Sequence, residues 1–397
     1  MTNENIHFTD STSLNQTILD LHEIKVQSYQ EKSISYHGIL RSIASDKGLQ
    51  TKVPKNKHTN IYWDNELIGK MNRLRPGTTY KDTNKICGNK WIAEKYLKQF
   101  NIKTTNSVMF KEAEKNQAFE YVKNNSEKHL LIKPLTLNSG AGIEFNVNEN
   151  SFETKWDNSI KAQKAHYDKE ARCLIQEIHN GFDIRIVITE GVFSSAPLRL
   201  PAHIVGDGSR TVESIIDEKN TLRKANPYLK SKLILKNDEM IRLLKKHEYQ
   251  LDSVPGSGEV IILQDISNLT SGGESVDISQ VISAEMIDNC LKAVASIPGL
   301  STAGIDIITS DFKNDPGNIL EINTNANFNL NYFTYKGEGQ HPLNHWIELL
   351  LIKHKLKHNH KLNKNELCQA VKMFKFSELK SFYFSLFSSS DIKFLND

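Results

Sequence analysis

The segment ILEINTNAN, residues 319–327, places an acid and an amide two positions apart inside an apolar run. In an extended chain, residues two apart point to the same side of the strand. Glu321 and Asn323 are therefore expected to project together and to offer oxygen atoms to a common point. From the spacing alone, a site for a metal ion and phosphate competes on even terms with two residues that merely cap a turn.

The preceding segment STAGIDIIT, residues 301–309, predicts a strand, and the Asp-Pro-Gly at 315–317 predicts the turn that returns the chain into ILEIN. In such a hairpin, Asp306 joins the acid and the amide around one cavity. Oxygen ligands without histidine or cysteine suit Mg²⁺ or Mn²⁺ better than zinc. Two carboxylates are too few to enclose such an ion, so phosphate oxygens and water are expected to complete its shell.

A glycine loop follows an apolar strand in HLLIKPLTLNSGAGIEF, residues 129–145. The strand ends near Lys133, and Gly140 and Gly142 lack the Cβ atoms that would keep the backbone away from an anion. The loop matches neither the P-loop nor the Gly-x-Gly-x-x-Gly fingerprint. An ordinary tight turn therefore stays open as the alternative to a phosphate loop.

Charged residues interrupt two further strand-like segments, DIRIVIT and VFSSAPLRL. Asp183 and Arg185 alternate with isoleucines and so share one polar face of their strand. Arg199 lies in the second segment. A solvated surface would explain these arginines, whereas a polar face inside a strand-rich core indicates a lined cleft.

Composition narrows the class of protein. The 397 residues are 38% hydrophobic and 24% charged, as expected for a globular chain of two or three subdomains. The net charge of +3 gives no basic footprint for nucleic acid. Neither a membrane-spanning run nor a secretory signal is present, and the four cysteines are scattered. A cytoplasmic protein with reduced thiols is predicted.

Helix and strand signals are mixed, with short turns between neighbouring strands. Asn89 predicts the start of a helix through WIAEKYLKQF, and further helices are expected at about 112–125, 212–225 and 283–297. This pattern predicts an α+β fold.

The ordered segments resemble the ATP-grasp superfamily over roughly residues 88–350, in particular the branch that contains cyanophycin synthetase and bifunctional glutathione synthetase. They are NKWIAEKYL, LLIKPLTLNSGAGI, LIQEIHNGFDIRIVI, LRLPAHIVGDGSRTV, NLTSGGESVDIS, AGIDII and ILEINTNAN. The resemblance implies two α+β lobes that bind ATP between them. It also implies two Mg²⁺ ions as cofactor, with Mn²⁺ as a substitute.

The resemblance also implies a role for each matching residue. The ATP-binding residues would be Lys90, Lys133, Asn138, Ser139, Gly140, Gly142, Gln176, Glu177, Ile178, His179 and Asp183. The catalytic residues would be Arg185 and Arg199, the metal ligands Asp306, Glu321 and Asn323, and the residues bordering the acceptor substrate Ser271, Gly272 and Gly273.

By resemblance, the expected activity is an ADP-forming ligase that joins a small-molecule carboxylate to an amine through an acyl phosphate. The alternatives are a kinase that stops at phosphoryl transfer and a nucleotide-binding module without turnover. The predicted divisions are a short N-terminal region (1–87) that shapes the substrate pocket, the ATP-grasp module (88–352, with lobes of about 105–178 and 179–350) and a helical C-terminal tail (353–397). The resemblance also makes a homo-oligomer possible, because relatives commonly form dimers or tetramers.

Two features of the tail stay open between interpretations. His354, His358 and His360 have near-helical spacing, which suits either a metal site or, more often, a solvated basic helix end. The aromatic and serine-rich segment FSELKSFYFSLFSSSDIKFL could contact a membrane or a partner, although packing against the module's own surface is favoured.

Overall fold

The computed structural model describes residues 11–29, 36–53, 58–72, 75–76, 81–137, 140–166, 170–264, 266–326 and 328–386. Within these ranges there are twelve α-helices, and sixteen strands in four sheets. The helices are α1 Ser11–Asp20, α2 Tyr36–Asp46, α3 Lys81–Gly88, α4 Lys90–Gln99, α5 Lys115–Lys123, α6 Phe152–Lys164, α7 Val212–Ala225, α8 Asp238–Lys246, α9 Ala284–Ser296, α10 Asn329–Tyr332, α11 Pro342–Lys357 and α12 Lys364–Ser385. The strands are β1 Gln50–Lys52, β2 His58–Trp63, β3 Glu66–Asn72, β4 Arg75–Pro76, β5 Ser107–Lys111, β6 Leu130–Pro134, β7 Glu144–Val147, β8 Arg172–Glu177, β9 Phe182–Thr189, β10 Val192–Ser195, β11 Pro197–Leu200, β12 His203–Val205, β13 Val260–Ile262, β14 Glu274–Asp277, β15 Ala303–Thr309 and β16 Asn318–Asn323.

The largest sheet is antiparallel and has the order β14-β11-β9-β15-β16, with β10 paired to β9. One of its faces carries the alternating isoleucines of β9 and β15, which pack in a single core with side chains from α1, α4, α9 and α12. The opposite face carries the charged residues of the same strands. This sheet is therefore apolar on one side and polar on the other, as its period-two pattern predicts.

The predicted hairpin is confirmed as β15 and β16, with Asp306 directly opposite Glu321. The register shifts by one residue between Asp306 and Ile307, which marks a β-bulge at β16. Because of this bulge, Ile319 and Ile322 both reach the core although they are three residues apart. The bulge thus adjusts the strand without turning its acid away from the polar face.

A second, four-stranded sheet has the order β5-β8-β6-β7 and is also antiparallel. Helices α5 and α6 cover one face of it, and the aromatic rings of Phe152 and Trp156 fill the layer between. Helix α4 connects this sheet to the large one, because Glu94 accepts hydrogen bonds from Thr105 and Ser107 at the start of β5. The helix begins as predicted, with the side chain of Asn89 accepting from two backbone N–H groups.

The N-terminal region forms a small antiparallel sheet, β1-β2-β3-β4, with α2 packed beside it. Its core is completed from the far end of the chain, by Leu343, Trp346, Ile347 and Leu350 of α11. These side chains cover Ile61 in the middle of the small sheet. The N-terminal region is therefore stabilised by tertiary contact with α11 instead of by a core of its own.

The small sheet of β12 and β13 lies in the segment between β11 and β14. Helices α7 and α8 pack on it around Ile204 and Ile261. Helix α7 has the predicted bounds 212–225, and its N-cap is Thr211. The described chain is thus an α+β protein, which confirms the predicted fold class.

Helix α12 lies on the protein's own surface, as favoured from the sequence. Phe376 and Tyr383 reach the core of the large sheet, whereas Phe374 and Phe382 on the same helix are exposed. A Cβ atom at Gly191 would lie 2.1 Å from the ring of Phe376, and Gly191 also has a φ of +77°. The turn between β9 and β10 therefore needs glycine both for its backbone conformation and for this contact.

We expect Phe376→Ala to lower the free energy of unfolding by about 3–5 kcal/mol, since it empties a buried aromatic site beneath α12. The matched control is Phe374→Ala, two residues away on the exposed face, which should change it by no more than about 0.5 kcal/mol. Urea denaturation followed by circular dichroism measures both values. Equal effects of the two substitutions would show that α12 is not docked at Phe376.

Candidate active site

The polar face of the large sheet brings together charged side chains from four strands. Asp306 on β15 stands opposite Glu321 on β16 and opposite Arg185 on β9. Directly opposed residues in antiparallel strands have Cβ atoms roughly 4.5–5.5 Å apart, so these three side chains adjoin on one face. Arg199 of β11 enters the same row through its partner Asp183.

Asp306 is the centre of a dense hydrogen-bond network. Its Oδ1 accepts from Nε of Arg185 and, at 2.9 Å, from Nη2 of Arg199. Its Oδ2 accepts from Nη2 of Arg185 at 2.9 Å and from Nδ2 of Asn323 at 3.1 Å. Arg199 also donates to Asp183. Two guanidinium groups and two carboxylates thus balance one another on the face of the sheet.

Burial and charge act in opposite directions on the two aspartates. Burial alone would raise the pKa of Asp306, but Arg185 and Arg199 hold it below its usual value. Burial raises the pKa of Asp183 above its usual value, and the nearby Asp306 charge adds to this in spite of Arg199. Asp306 therefore holds its negative charge more readily than Asp183 does.

Two polar atoms at this network have no partner among the described residues. They are Nε of Arg199 and Oγ of Ser275, both shielded from solvent. Ser275 stands opposite Arg199 across the β11–β14 pair, so the two atoms belong to the same part of the face. Buried polar groups are nearly always paired, which makes this part of the face suited to a polar or anionic ligand.

Lys90 and Lys133 form a second group of charges beside the first. Lys133 is buried on β6 and donates to the side chain of Gln176 on β8. Burial, together with the neighbouring charge of Lys90, lowers the pKa of Lys133 to about 8. Nζ of Lys90 donates to the carbonyl of Leu137 at 2.7 Å and lies 3.9 Å from Oε1 of Glu321. Lys90 therefore links the loop after β6 to the acid of β16.

The two glycines of the loop after β6 have different surroundings. Gly140 has a φ of +79° and open space where a Cβ would stand, so its backbone is accessible to an anion. A Cβ at Gly142 would lie 2.7 Å from that of Ala162 and 2.8 Å from the ring of Pro134. Gly142 is thus explained by packing against α6 and β6. Asn138 and Ser139, also predicted to bind ATP, lie outside the described residues.

The end of β8 and the segment that follows it contain Gln176, Glu177, Ile178 and His179, four of the residues predicted to bind ATP. Glu177 is exposed at the end of β8, and the backbone N–H of Ile178 already donates to His129 at 2.7 Å. Ile178 therefore has only its side chain and carbonyl to offer a nucleotide base. Nε2 of His179 is buried without a partner in the described part of the chain, and burial lowers the pKa of this imidazole. A neutral ring edge at His179 thus lies in this segment.

Ser271, Gly272 and Gly273 form a buried corner ahead of β14. Gly272 has a φ of +94°, and a Cβ at Gly273 would lie 2.7 Å from the Asn268 carbonyl. Both glycines are therefore required by the local backbone, whatever ligand the corner borders.

The corner is held by Arg223 of α7, a residue that sequence reasoning missed. Its side chain is fully buried and donates to the carbonyls of Gly273, Leu269 and Lys232 at 2.9, 3.2 and 2.7 Å. Arginine on an amphipathic helix ordinarily points to solvent. The period of α7 was the available signal, because Arg223 lies seven residues after Ile216 and eleven after Val212 and so falls on the buried face of the helix.

A cavity of about 580 Å³ lies between the N-terminal region and the chain that follows β16. Tyr29 and Ile43 contribute one wall, and Tyr332, Phe333 and Asn344 contribute the other. The chain reaches this second wall through α10, which begins six residues after Asn323. The cavity has the size of a small-molecule site and mixes aromatic with polar lining, as such sites do.

The donor set fits magnesium. Asp306, Glu321 and Asn323 supply carboxylate and amide oxygens alone, and the partner-free Nε of Arg199 lies at the same face to receive an anion. The amide nitrogen of Asn323 faces Asp306, which leaves its oxygen directed elsewhere. The three residues predicted as metal ligands therefore lie close together on this face of the sheet.

Arg223→Met should lower the free energy of unfolding by about 2–4 kcal/mol, because three carbonyl groups lose a charged hydrogen-bond donor. Lys224→Met is the matched control, since Lys224 is its exposed neighbour on α7. Urea unfolding of both variants provides the measurement. If Arg223→Met were as stable as the control, the guanidinium would not be what holds the corner.

Comparison with known proteins gives sequence relatives that match between about half and three quarters of the chain. No protein-family model matches. The cyanophycin synthetase of Synechocystis is 30% identical over 217 residues, which is 52% of this chain and 24% of that protein. The glutathione biosynthesis bifunctional protein GshAB of Enterococcus faecalis is 30% identical over 224 residues, 54% of this chain and 29% of its own. GshAB of Streptococcus mutans is 26% identical over 314 residues, 76% of this chain and 39% of its own.

The chain therefore spans between about a quarter and two fifths of the length of these relatives. Among solved structures, the bifunctional glutathione synthetase of Pasteurella multocida aligns with a TM-score of 0.59 and 20% identity, over 79% of this chain and 43% of that one. This likeness establishes the fold. The chain therefore has the ATP-grasp fold that the sequence predicts, and over about half its length it is similar in sequence to cyanophycin synthetase and to GshAB.

Proposed function

We propose that this protein is an ATP-dependent carboxylate–amine ligase that forms an amide or peptide bond and releases ADP and phosphate. The observation that carries the proposal is the polar face of the large sheet. There, Arg185, Arg199, Asp306 and Asn323 form one hydrogen-bonded network, with Glu321 linking it to Lys90. The relatives at about 30% identity are named as synthetases or biosynthetic enzymes, which supports a ligase over a module without turnover.

In the proposed reaction, a substrate carboxylate oxygen attacks the γ-phosphorus of ATP, and the bond to the β,γ-bridging oxygen breaks to release ADP. An amine nitrogen then attacks the acyl carbon, phosphate leaves with the electron pair of the broken C–O bond, and the nitrogen loses a proton. Both steps concentrate negative charge on phosphate oxygens. Guanidinium groups placed at such oxygens stabilise that charge.

The chain's own residues divide this work by location. Lys90 and Lys133 would hold the nucleotide phosphates, and Arg185 and Arg199 would exchange part of their contact with Asp306 for the transferring phosphoryl group. Asp306, Glu321 and Asn323 would hold Mg²⁺, which when bound would neutralise phosphate charge.

Two ions, and Mn²⁺ as a substitute, are predictions from the sequence, as are a cytoplasmic location and a homo-oligomer. In the described part of the chain, no helix is long and apolar enough to cross a membrane.

The substrate is proposed to bind in the cavity of about 580 Å³ beside the N-terminal region. Its walls come from the segment after β16 and from residues 28–29 and 39–47, so the N-terminal region would shape it, as the sequence predicts. Asp46 and Lys47 place both signs of charge in the lining, which suits an amino acid or a small peptide. Ser271, Gly272 and Gly273 would border the acceptor.

A kinase would use the same phosphate groups but would need no amine. The two activities differ in their products, because an acyl phosphate reacts with hydroxylamine to give a hydroxamate. A phosphorylated alcohol does not react in this way.

The test incubates the protein with Mg-ATP, a pooled panel of carboxylates and amino acids, and hydroxylamine. We expect ADP and hydroxamate in equal amounts, and a rate about 10²–10³ lower in Arg199→Met, which lacks a donor to the developing charge. Arg210→Met is the matched control, because Arg210 forms only exposed ion pairs. AMP formation would contradict the mechanism, and ADP with a stable phosphorylated product would indicate the kinase.

The lowered pKa of Lys133 predicts how nucleotide binding depends on pH. Above about pH 8 the buried ammonium is increasingly deprotonated in the free protein, whereas bound phosphate would favour the charged form. ATP binding should therefore take up a proton between pH 8 and 10, and the affinity should fall by up to about tenfold per pH unit as pH rises. Isothermal titration calorimetry in buffers of different ionisation enthalpy measures this uptake.

The same titration in Lys133→Met should be weak and should lose the proton uptake. Lys123→Met removes an exposed lysine and should behave as the wild type. Unchanged uptake in Lys133→Met would place the titrating group elsewhere.

A further inference from the structure

A cluster of metal-ligating side chains lies apart from the candidate active site, where the N-terminal sheet meets α11. It consists of Glu66 at the start of β3, His354 in the last turn of α11, and His358, the C-cap residue that follows this helix. One ligand atom from each lies within 4.8 Å of the others. In the part of the chain that the structure describes, this is the one group of three or more such residues with ligand atoms so close.

The sequence left these histidines open between a metal site and a solvated basic helix end. The tertiary structure adds an acid that is almost three hundred residues away in the chain. Nε2 of His358 lies 2.7 Å and Nδ1 of His354 lies 3.5 Å from the same carboxylate oxygen, Oε2 of Glu66. One nitrogen of each imidazole thus lies close to the same oxygen of the acid.

The surroundings of the cluster restrict how its ligands can move. The ring of Trp63 packs on His354 with 4.8 Å between ring centroids, and the side chain of His354 is only 9% exposed. Glu66 and His358 are 34% and 40% exposed and are free to adjust. His354 is therefore a fixed ligand, and the other two can close upon it.

We propose that Glu66, His354 and His358 form a Zn²⁺ site that fastens the N-terminal sheet to α11. Two imidazole nitrogens and one carboxylate oxygen are a common zinc ligand set, with water in the fourth position. Zinc bonds of about 2.0–2.2 Å place tetrahedral ligand atoms about 3.4 Å apart. The widest separation, at most 4.8 Å, would contract by up to about 1.4 Å, and the 2.7 Å pair of His358 and Glu66 would widen by about 0.7 Å, which their exposed side chains can provide.

In the absence of metal, Lys357 forms an ion pair with Glu66 and so competes with an incoming ion for this carboxylate. Its ammonium group donates to the other oxygen of Glu66, and it is 65% exposed. Zinc needs one lone pair of the carboxylate and leaves this second oxygen available. The ion would replace the proton that His358 now shares with the acid.

The site has a mechanical consequence. Glu66 belongs to the small sheet, whose core is completed by α11, so metal bonds would connect two elements that already pack together. A ligand that binds only the folded state raises its stability in proportion to the logarithm of its concentration. Zinc is therefore expected to stabilise the packing of the small sheet on α11.

The test uses the full chain, freed of metal by a chelator and studied without ATP. Zn²⁺ is titrated in competition with a chromophoric chelator, and Co²⁺ is added separately to record its visible ligand-field bands. We expect one ion per chain, tetrahedral Co²⁺ bands and a higher Tm with Zn²⁺. Glu66→Gln and His358→Ala should each weaken binding by at least about tenfold, the lower end of the loss seen on removing even an outer partner of a metal ligand.

Two further variants separate a metal site from an ion-pair cluster. Lys357→Met removes the competing ammonium and should bind Zn²⁺ at least as tightly as the wild type. His247→Ala, which removes an exposed histidine on another helix end, should have no effect. Equal affinity in the wild type and Glu66→Gln, or loss of binding in Lys357→Met, would overturn the proposal. Circular dichroism verifies that each variant is folded, and no outcome depends on the ligase assay.

Discussion

The carboxylate of Asp306, held between two guanidinium groups, is the interaction on which the rest of this structure depends. A charge buried on the face of a sheet is costly unless it is paired and fully hydrogen-bonded. Arg185 and Arg199 meet that requirement from the neighbouring strands, and Asn323 completes it. The network therefore fixes which residues of β9, β11, β15 and β16 stand opposite one another.

This requirement also fixes the apolar side of the sheet. A slip of one residue in any of these strands would exchange isoleucine for charge on both faces. The core beneath, with side chains from α1, α4, α9 and α12, would then be lost together with the polar network. The register of β16 is equally constrained. Its β-bulge keeps Ile319 and Ile322 in the core while Glu321 stays on the polar face.

The remaining parts of the chain bring additional groups to this face or support it. Lys133 arrives on a different sheet, and Lys90 bridges from α4 to the loop beyond β6. Arg223 secures the corner ahead of β14 by donating to three carbonyl groups. The N-terminal sheet relies on α11 for its core, and the cluster around Glu66 lies at that same contact. Support for the site is thus drawn from both ends of the chain.

The sequence by itself determined the local elements of this protein. Period-two alternation gave the polar and apolar faces of β9 and β15, Asn89 gave the start of α4, and Asp-Pro-Gly gave the hairpin. Ordered motifs gave the ATP-grasp fold, because that superfamily keeps them at matching places along the chain. Each of these signals depends on residues close together in the sequence or on the order of motifs along it. They can therefore be recognised without knowing which distant residues are in contact.

Only the tertiary structure decided which residues meet across long separations. Gly142 looked like a phosphate-loop glycine, yet its environment is the packing of α6 against β6. Arg223 lies on the buried face of α7, but only the fold shows that its guanidinium donates to carbonyl groups of other segments. Glu66 carried no signal at all until α11 placed two histidines beside it. Periodicity reports the direction of a side chain relative to its own element, whereas burial and partners depend on what the rest of the chain places against it.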